Sequence, residues 1–553
     1  MTQISRWSNV ISVREMVGRI TIILVFAMAV GSAYADRPPN IVLIVTDNQS
    51  EQLLGSYGNR DVKTPNIDAL AQAGMKFTRA YSVSGVCSPT RATLLTGLLP
   101  SQHGVHNGLP SVFDVEDWAA VEEFRSLPQT LGDAGYNTAL IGKYHIGAPQ
   151  KPQMGFQYWV TFPTGHTTSF HDVNVIDNGK TYNTASEHLT DFWTRKAEEF
   201  IAGQSAEKPF FLYLSYNGPY NLPPLVTRPP ANRHAKYYTE HVPEFPQEPV
   251  HPFLRRAAIE DSSVEDVLKE QAEYKAWGVE DAESIGDHGA TPELSYGWQT
   301  INALNNKTAM INLASEMSMI DDGVGRVLEV LRQHGFGGNT IVVFTSDQSS
   351  AFGQHGLWGN SSWAKPHPAY KEHMQIPLIV RLPDVVPDGT ESDRIINQYD
   401  IFPTLLELVG MQDTVIENSP GKSFTPTLRG QEQAWADTAF YEYITVRAIV
   451  KKDWKYIKRL FNEPSELYHL KADPQENTNL YGDPQYIEIT QNLDNELDEF
   501  FLNYANEKYD PWRGGTGKAI LMYSEKNERF AAQFPNWQPP TVAKLIPFSD
   551  SRP

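Results

Sequence analysis

Four short runs of apolar, largely β-branched residues mark the chain: Asn40 to Thr46, Thr138 to Ile141, Phe210 to Tyr216 and Thr340 to Ser346. Each is continuous rather than alternating, the pattern of a strand buried on both faces. Helical patterns lie between them, such as Met310 to Gln333. Strands alternating with helices predict an α/β fold, a large mostly parallel sheet flanked by helices. Ligands in such folds gather outside the carboxyl ends of the strands, so the residues just after each run carry the most information. Those segments are Asp47-Asn48-Gln49, Gly142-Lys143-Tyr144-His145, Asn217-Gly218-Pro219-Tyr220 and Asp347-Gln348.

Near residue 435 the texture changes to shorter, alternating segments: Val446 to Val450, Trp454 to Lys458 and Glu466 to Leu470. They predict a smaller antiparallel sheet, and the helical pattern from Pro484 to Tyr504 comes after it. The expected organisation is a catalytic α/β domain over 36–435, a C-terminal subdomain over 436–510 and an extended tail over 511–553. A Pro-rich, charged excursion at about 217–300 interrupts the first domain and has the character of a binding loop.

Residues 1–35 read as a signal peptide: Arg14 and Arg19 precede the apolar Ile20 to Val30, and Ala33-Tyr34-Ala35 places cleavage after Ala35. The apolar run is too short to span a bilayer, so a periplasmic or secreted protein with no membrane span in the mature chain is expected. The formal net charge is -20, and the leader is itself net positive, so the remainder is more acidic still. Nucleic acid is excluded as a natural partner. Any anion site has to be built locally from Arg, Lys and His against the overall field.

Cys87 is the single cysteine. With no disulfide partner, a thiol in an exported protein is either buried and inert or converted to something else. It opens Cys87-Ser88-Pro89-Thr90-Arg91, and Gly97 comes directly after Thr96. Pro suits a first helical turn and Gly a helix end, which predicts a helix over 88–96 with Cys87 at its N-terminus, where backbone N–H groups favour an anion. Arg91, one turn on, shares that face. Asp47-Asn48 and Asp347-Gln348 supply two pairs of hard oxygen ligands suited to a divalent cation such as calcium. Lys143 and His145 lie two apart in a segment leaving a strand and are expected to point the same way. His355, in Gly353-Gln354-His355-Gly356-Leu357-Trp358, and Lys365 come after the fourth strand.

With these residues in view, the chain resembles the formylglycine-dependent sulfatases of the alkaline phosphatase superfamily. The likeness runs through Pro39 to Ile44, Cys87 to Gly97, Gly142 to Gly147, Phe344 to Asp347, Ile376 to Val380, Asp400 to Thr404 and Glu466 to Tyr468. The resemblance implies that a formylglycine-generating maturation enzyme oxidises Cys87. The hydrated aldehyde then offers two hydroxyls, one to attack sulfur and one to expel sulfate. It implies one calcium ion held by Asp47, Asn48, Asp347 and Gln348 and touching the modified Cys87. Arg91 would hold the hydrate, His145 would act as base or orienting group, and Lys143 and Lys365 would grip the sulfate oxygens.

Three departures from the family pattern stand out. Asn48 replaces the second metal Asp, and Gln348 stands directly after the later Asp, leaving two carboxylates and predicting weaker calcium binding. Tyr220 stands where a leaving-group histidine is common, so Tyr220 is a candidate donor and His355 the favoured acid. Export and the aromatic residues of the excursion, Tyr237, Tyr238, His241 and His251, point to a sulfated poly- or oligosaccharide, with His166 and His171 candidates for the same cleft. Rival expectations are an arylsulfatase, a phosphate or phosphonate ester hydrolase, and a sulfated-glycan binding protein with weakened turnover. The acceptor-like sequences at Asn306 and Asn360 are taken as chance.

Overall fold

Alternate side chains of the first strand enter two different cores. In the computed structural model, Val42 and Ile44 join one cluster and Ile41, Leu43 and Val45 another, all fully buried. That division explains the unbroken apolar runs, since neither face of the central strands meets water. The structure describes residues 37–109, 117–165, 167, 169–219, 225–257, 296–518 and 532–533. The expected signal peptide, His166, Tyr220, most of the excursion and the tail beyond 518, apart from 532–533, lie outside the described residues.

The main sheet has ten strands: β1 (Asn40–Asp47), β2 (Met75–Tyr81), β3 (Asn137–Gly142), β4 (Tyr158–Thr161), β5 (Asn174–Asp177), β6 (Lys180–Asn183), β7 (Phe210–Pro219), β8 (Thr340–Ser346), β9 (Gln375–Arg381) and β10 (Thr390–Asn397). Their spatial order is β10-β2-β9-β8-β1-β7-β3-β4-β5-β6. The middle, β8-β1-β7-β3-β4, is parallel throughout. On one side β9 runs antiparallel to β8 and β2, and on the other β5 and β6 form an antiparallel edge. This is the α/β architecture expected, with antiparallel strands added at both margins.

The long helix Lys307–Gln333 covers one face. Its start is fixed by Asn306, whose side chain accepts from the backbone N–H groups of Thr308 and Ala309. Leu313, Met317, Ile320, Val324, Val327 and Leu331 recur at helical spacing and enter the core beneath.

The C-terminal sheet is an antiparallel meander of β11 (Thr438–Tyr443), β12 (Val446–Lys451), β13 (Trp454–Arg459) and β14 (Glu466–His469). The helix Ile487–Tyr504 lays Leu493, Leu497 and Phe501, spaced four apart, against Phe440, Ile449, Tyr456 and Leu467. Residues 506–518 then return to the main unit, where Asn506 N donates to Ser101 O and Lys518 N to Gly104 O. The described end of the excursion lies across the segment after β8: His251 N donates to Gly356 O, and Lys365 N to Phe253 O. No helix among the described residues is long and apolar enough to cross a membrane.

Register positions the functional edge. Gly142, Ser215, Val45 and Thr345 form one row across β3, β7, β1 and β8. Lys143, Asp47 and Asp347 therefore emerge near each other, although Lys143 lies 96 residues beyond Asp47 and Asp347 far beyond both. Gly142 has φ +109 and is so close to Ser215 that a Cβ there would lie 1.8 Å from its carbonyl oxygen. Only glycine fits that approach, and it allows Lys143 N to donate to Ser215 O at 2.8 Å.

Candidate active site

The helix Cys87–Thr96 starts with the cysteine and is buried along its full length. Extended backbone at Val86 leads into it, and Gly97, at φ 70, ends it by donating to Thr93 O. Gln398 braces the approach from behind: its Nε2 donates to Asp347 O at 2.7 Å, and its Oε1 accepts from Val83 N at 3.4 Å.

Around the sulfur stand Lys143 Nζ at 3.2 Å, Gln348 Nε2 at 3.2 Å and Asp47 Oδ1 at 3.4 Å. Lys143 Nζ also donates to Asp47 Oδ2 at 2.6 Å. Arg91 reaches Asp347 Oδ2 at 2.6 Å with one terminal nitrogen, and with the other Ser215 Oγ and Lys143 O. Two carboxylates and two cations thus share a buried enclosure, each paired as buried charge requires.

Burial pushes the Cys87 thiol up to about 12, Asp47 adding to the effect while Lys143 opposes it. A thiol so placed stays protonated and is a poor nucleophile as it stands. Burial also lifts Asp347 to about 6, with Arg91 opposing and Asp47 adding. Burial works against the charged form of Lys143, but Asp47 overrides it and its pKa is raised.

Asp47, Cys87 and Asp347 present ligand atoms within 4.8 Å of one another. Asn48, in the left-handed region at φ 57, sets its amide beside them. Its Oδ1 lies 2.6 Å from the Gln348 amide and accepts from Ser350 Oγ at 3.1 Å and Asn360 Nδ2 at 3.1 Å. Gln348 Oε1 lies 3.2 Å from Thr90 Oγ1. Two carboxylates and two amide oxygens are hard donors, and the set fits a calcium ion in chemical character.

The structure therefore brings together Asp47, Asn48, Cys87, Arg91, Lys143, Asp347 and Gln348. Other candidates are placed differently. The two-residue alternation expected for Lys143 and His145 does not apply, because β3 ends at Gly142 and His145 takes φ 54. His145 Nε2 faces Leu109 O at 3.1 Å, so this nitrogen carries the proton and a neutral ring keeps its lone pair on Nδ1. His355 Nε2 lies 3.5 Å from Glu372 Oε2, and its ring stacks on Tyr370 with centroids 4.3 Å apart. Burial opposes the charge on His355, but the Glu372 partnership prevails and raises its pKa; Glu372 itself, despite burial, is held down at about 2. Lys365 is half-buried beneath the end of the excursion. His171 turns Nε2 to Ala231 O at 2.9 Å. Asn360 is buried against Asn48, which keeps it from serving as a glycan acceptor.

Sequence reasoning missed Ser215, Thr90, Gln398 and Asn360. Ser215 lies inside the third apolar run and Thr90 inside the cysteine motif, but nothing in their spacing announces a hydrogen-bond partner far along the chain.

A family model described as Sulfatase matches residues 39–411, and one described as N-sulphoglucosamine sulphohydrolase, C-terminal, matches residues 359–502. The chain is similar to an N-acetylglucosamine-6-O-sulfatase of Bacteroides thetaiotaomicron, 28% identical over 522 residues, covering 85% of this chain and 88% of the relative. It is also similar to an ulvan-active sulfatase of Formosa agariphila, 24% identical, covering 90% and 89%. Among solved structures, BT4656 in complex with its substrate D-glucosamine-2-N,6-O-disulfate aligns with TM-score 0.64 and 26% identity, over 85% of this chain and 98% of that one. A phosphonate monoester hydrolase of Agrobacterium radiobacter aligns with TM-score 0.62 and 22% identity, over 85% and 96%, a likeness of fold alone.

Proposed function

The chain belongs to the sulfatase family, and from that membership we propose that it is an exported sulfatase cleaving sulfate esters on a poly- or oligosaccharide. The observation that carries the reading is Cys87 at a buried helix N-terminus, hydrogen-bonded to Lys143 and set against Asp47 and Asp347. The two curated relatives described above are, by their names, an N-acetylglucosamine-6-O-sulfatase and an ulvan-active sulfatase, which supports a carbohydrate substrate. The leader over 1–35 supports a periplasmic or secreted location.

Cys87 Sγ stands in for an oxygen of the formylglycine hydrate that a separate maturation enzyme would leave on this residue. Asp47, Asn48, Asp347 and Gln348 would hold calcium, which when bound supplies a Lewis acid for a sulfate oxygen. The chain's own groups do the rest. Arg91 and Lys143 bring two positive charges to a buried point where a sulfate ester has to lie, and in a dry site such charges stabilise developing negative charge strongly. Asp47 and Asp347 hold those cations in place. His145, with its Nε2 proton committed to Leu109 O, keeps Nδ1 as the nitrogen for the base or orienting role. Lys365 is assigned to the sulfate oxygens, and His355, whose pKa Glu372 raises against the effect of burial, to the leaving alcohol; Tyr220 is the alternative donor.

The deciding experiment has two readouts on protein made in a host with the maturation system. Mass analysis of the Cys87 peptide is expected to show formylglycine, and a matched pair of aryl sulfate and aryl phosphate is expected to show preference for the sulfate. An unmodified thiol in fully active protein overturns the nucleophile. Preference for the phosphate overturns the reaction class.

A further inference from the structure

The hydroxyl of Thr90 has one proton and three oxygens around it: Cys87 O at 2.7 Å, Val86 O at 3.0 Å and Gln348 Oε1 at 3.2 Å. A helical threonine commonly gives its proton to a carbonyl of the preceding turn, and the two backbone distances are the shorter ones. Toward Gln348, Thr90 Oγ1 then acts as an acceptor. The amide that satisfies it offers Nε2 and turns Oε1 the opposite way.

The opposite way is toward the centre of the site, since the other arm of the Gln348 amide lies 2.6 Å from Asn48 Oδ1 and 3.2 Å from Cys87 Sγ. Asn48 cannot simply reverse in response. Asn360 Oδ1 accepts from the backbone N–H of Ser362 at 3.0 Å, which fixes its orientation and leaves Asn360 Nδ2 facing Asn48 at 3.1 Å. An oxygen is required there. With Gln348 turned by Thr90, two amide oxygens stand side by side next to the carboxylates of Asp47 and Asp347, an arrangement that oxygen repulsion forbids unless a cation lies against them.

We propose that Thr90 is a positioning residue of the metal centre: by accepting from Gln348 Nε2 it aims Gln348 Oε1 alongside Asn48 Oδ1, so that two neutral amides present oxygen to a divalent cation. The inference rests on the calcium reading above. Orientation matters here because an amide has one oxygen and one NH₂, and a misdirected amide turns positive hydrogens toward the cation. A carboxylate offers oxygen whichever way it lies.

The test measures calcium affinity by isothermal titration on the chain made without the maturation enzyme, so that Cys87 is a thiol in every variant and maturation cannot confound the result. Thr90→Val is expected to weaken binding about 10- to 100-fold, the usual effect of losing an orienting partner, while Thr90→Ser stays within about threefold of wild type. In a Gln348→Glu background, where orientation no longer matters, adding Thr90→Val is expected to change affinity by less than about threefold. Equal losses in both backgrounds, or no loss in the wild-type background, overturn the proposal while leaving the calcium reading intact. A wild-type chain that binds no calcium overturns both. Should Thr90→Val fail to fold, Thr90→Ala takes its place in the same two backgrounds.

Discussion

Ser215 Oγ accepts a hydrogen bond from Arg91, while the carbonyl of the same residue accepts from the backbone N–H of Lys143 at 2.8 Å. One serine on a central strand thus holds two site residues, the guanidinium of Arg91 through its side chain and the backbone of Lys143 through its carbonyl. Ser215→Ala leaves the Lys143 link intact and removes the Arg91 link. A hydrogen bond to a charged group is worth about 1.5–3 kcal/mol, so kcat/KM for an aryl sulfate is expected to fall roughly 10- to 100-fold. The melting temperature is expected to fall as well, since the lost bond is buried in the folded chain, and steady-state kinetics and a thermal melt together check both effects.

As the proposed acid, His355 would take its pH limit from Glu372. Glu372 raises the His355 pKa against the effect of burial, so an acid at this position stays protonated, and active, to higher pH than an ordinary imidazole. Glu372→Gln removes the partner charge. The alkaline limb of kcat/KM, measured on a sulfate with a poor leaving group, is expected to move to lower pH; an unmoved limb removes His355 from the acid's role.

Calcium removal should lower stability as well as activity, because a ligand bound only by the folded chain stabilises it in proportion to its occupancy. Chelation is expected to reduce the melting temperature and abolish turnover. Added calcium should restore both, and magnesium less so, since it demands tighter octahedral geometry than two carboxylates and two amides readily supply. Parallel melts and assays in chelator, calcium and magnesium test this.

The C-terminal helix owes its docking to three buried side chains. Leu497 is fully buried among Phe440, Ile449 and Leu467, so Leu497→Ala is expected to cost about 2–5 kcal/mol. Chemical denaturation should register it.

The legible parts of the fold were those with a strong period. β1, β7 and β8 are buried on both faces and read as unbroken apolar runs, and the helix at Cys87 is punctuated by Pro89 and Gly97. The margins of the sheet were hidden for the opposite reason. Met75–Tyr81 is only partly buried, and the first half of Thr390–Asn397 is polar and largely exposed, so neither gives a clean pattern. At the site, residue type and strand-end position were enough to single out Asp47, Asp347, Cys87, Arg91 and Lys143. The roles of Ser215, Gln398, Thr90 and Asn360 depend on hydrogen-bond direction between segments far apart in sequence, which no local pattern encodes. His145 shows a related limit: one left-handed residue cancels the alternation on which its expected direction depended.

The pairing of Thr46 with Ser346 across β1 and β8 also sets the order of events during synthesis. Gln348 and Asn48, whose side chains approach to 2.6 Å, are 300 residues apart in sequence, and contacts of such long range form late because chain closure has to precede them. A ribosome has therefore translated Cys87 long before the strand that completes its enclosure exists. During that interval the cysteine belongs to an unfinished chain, open to any partner that recognises its flanking residues, and the arrival of β8 closes that window.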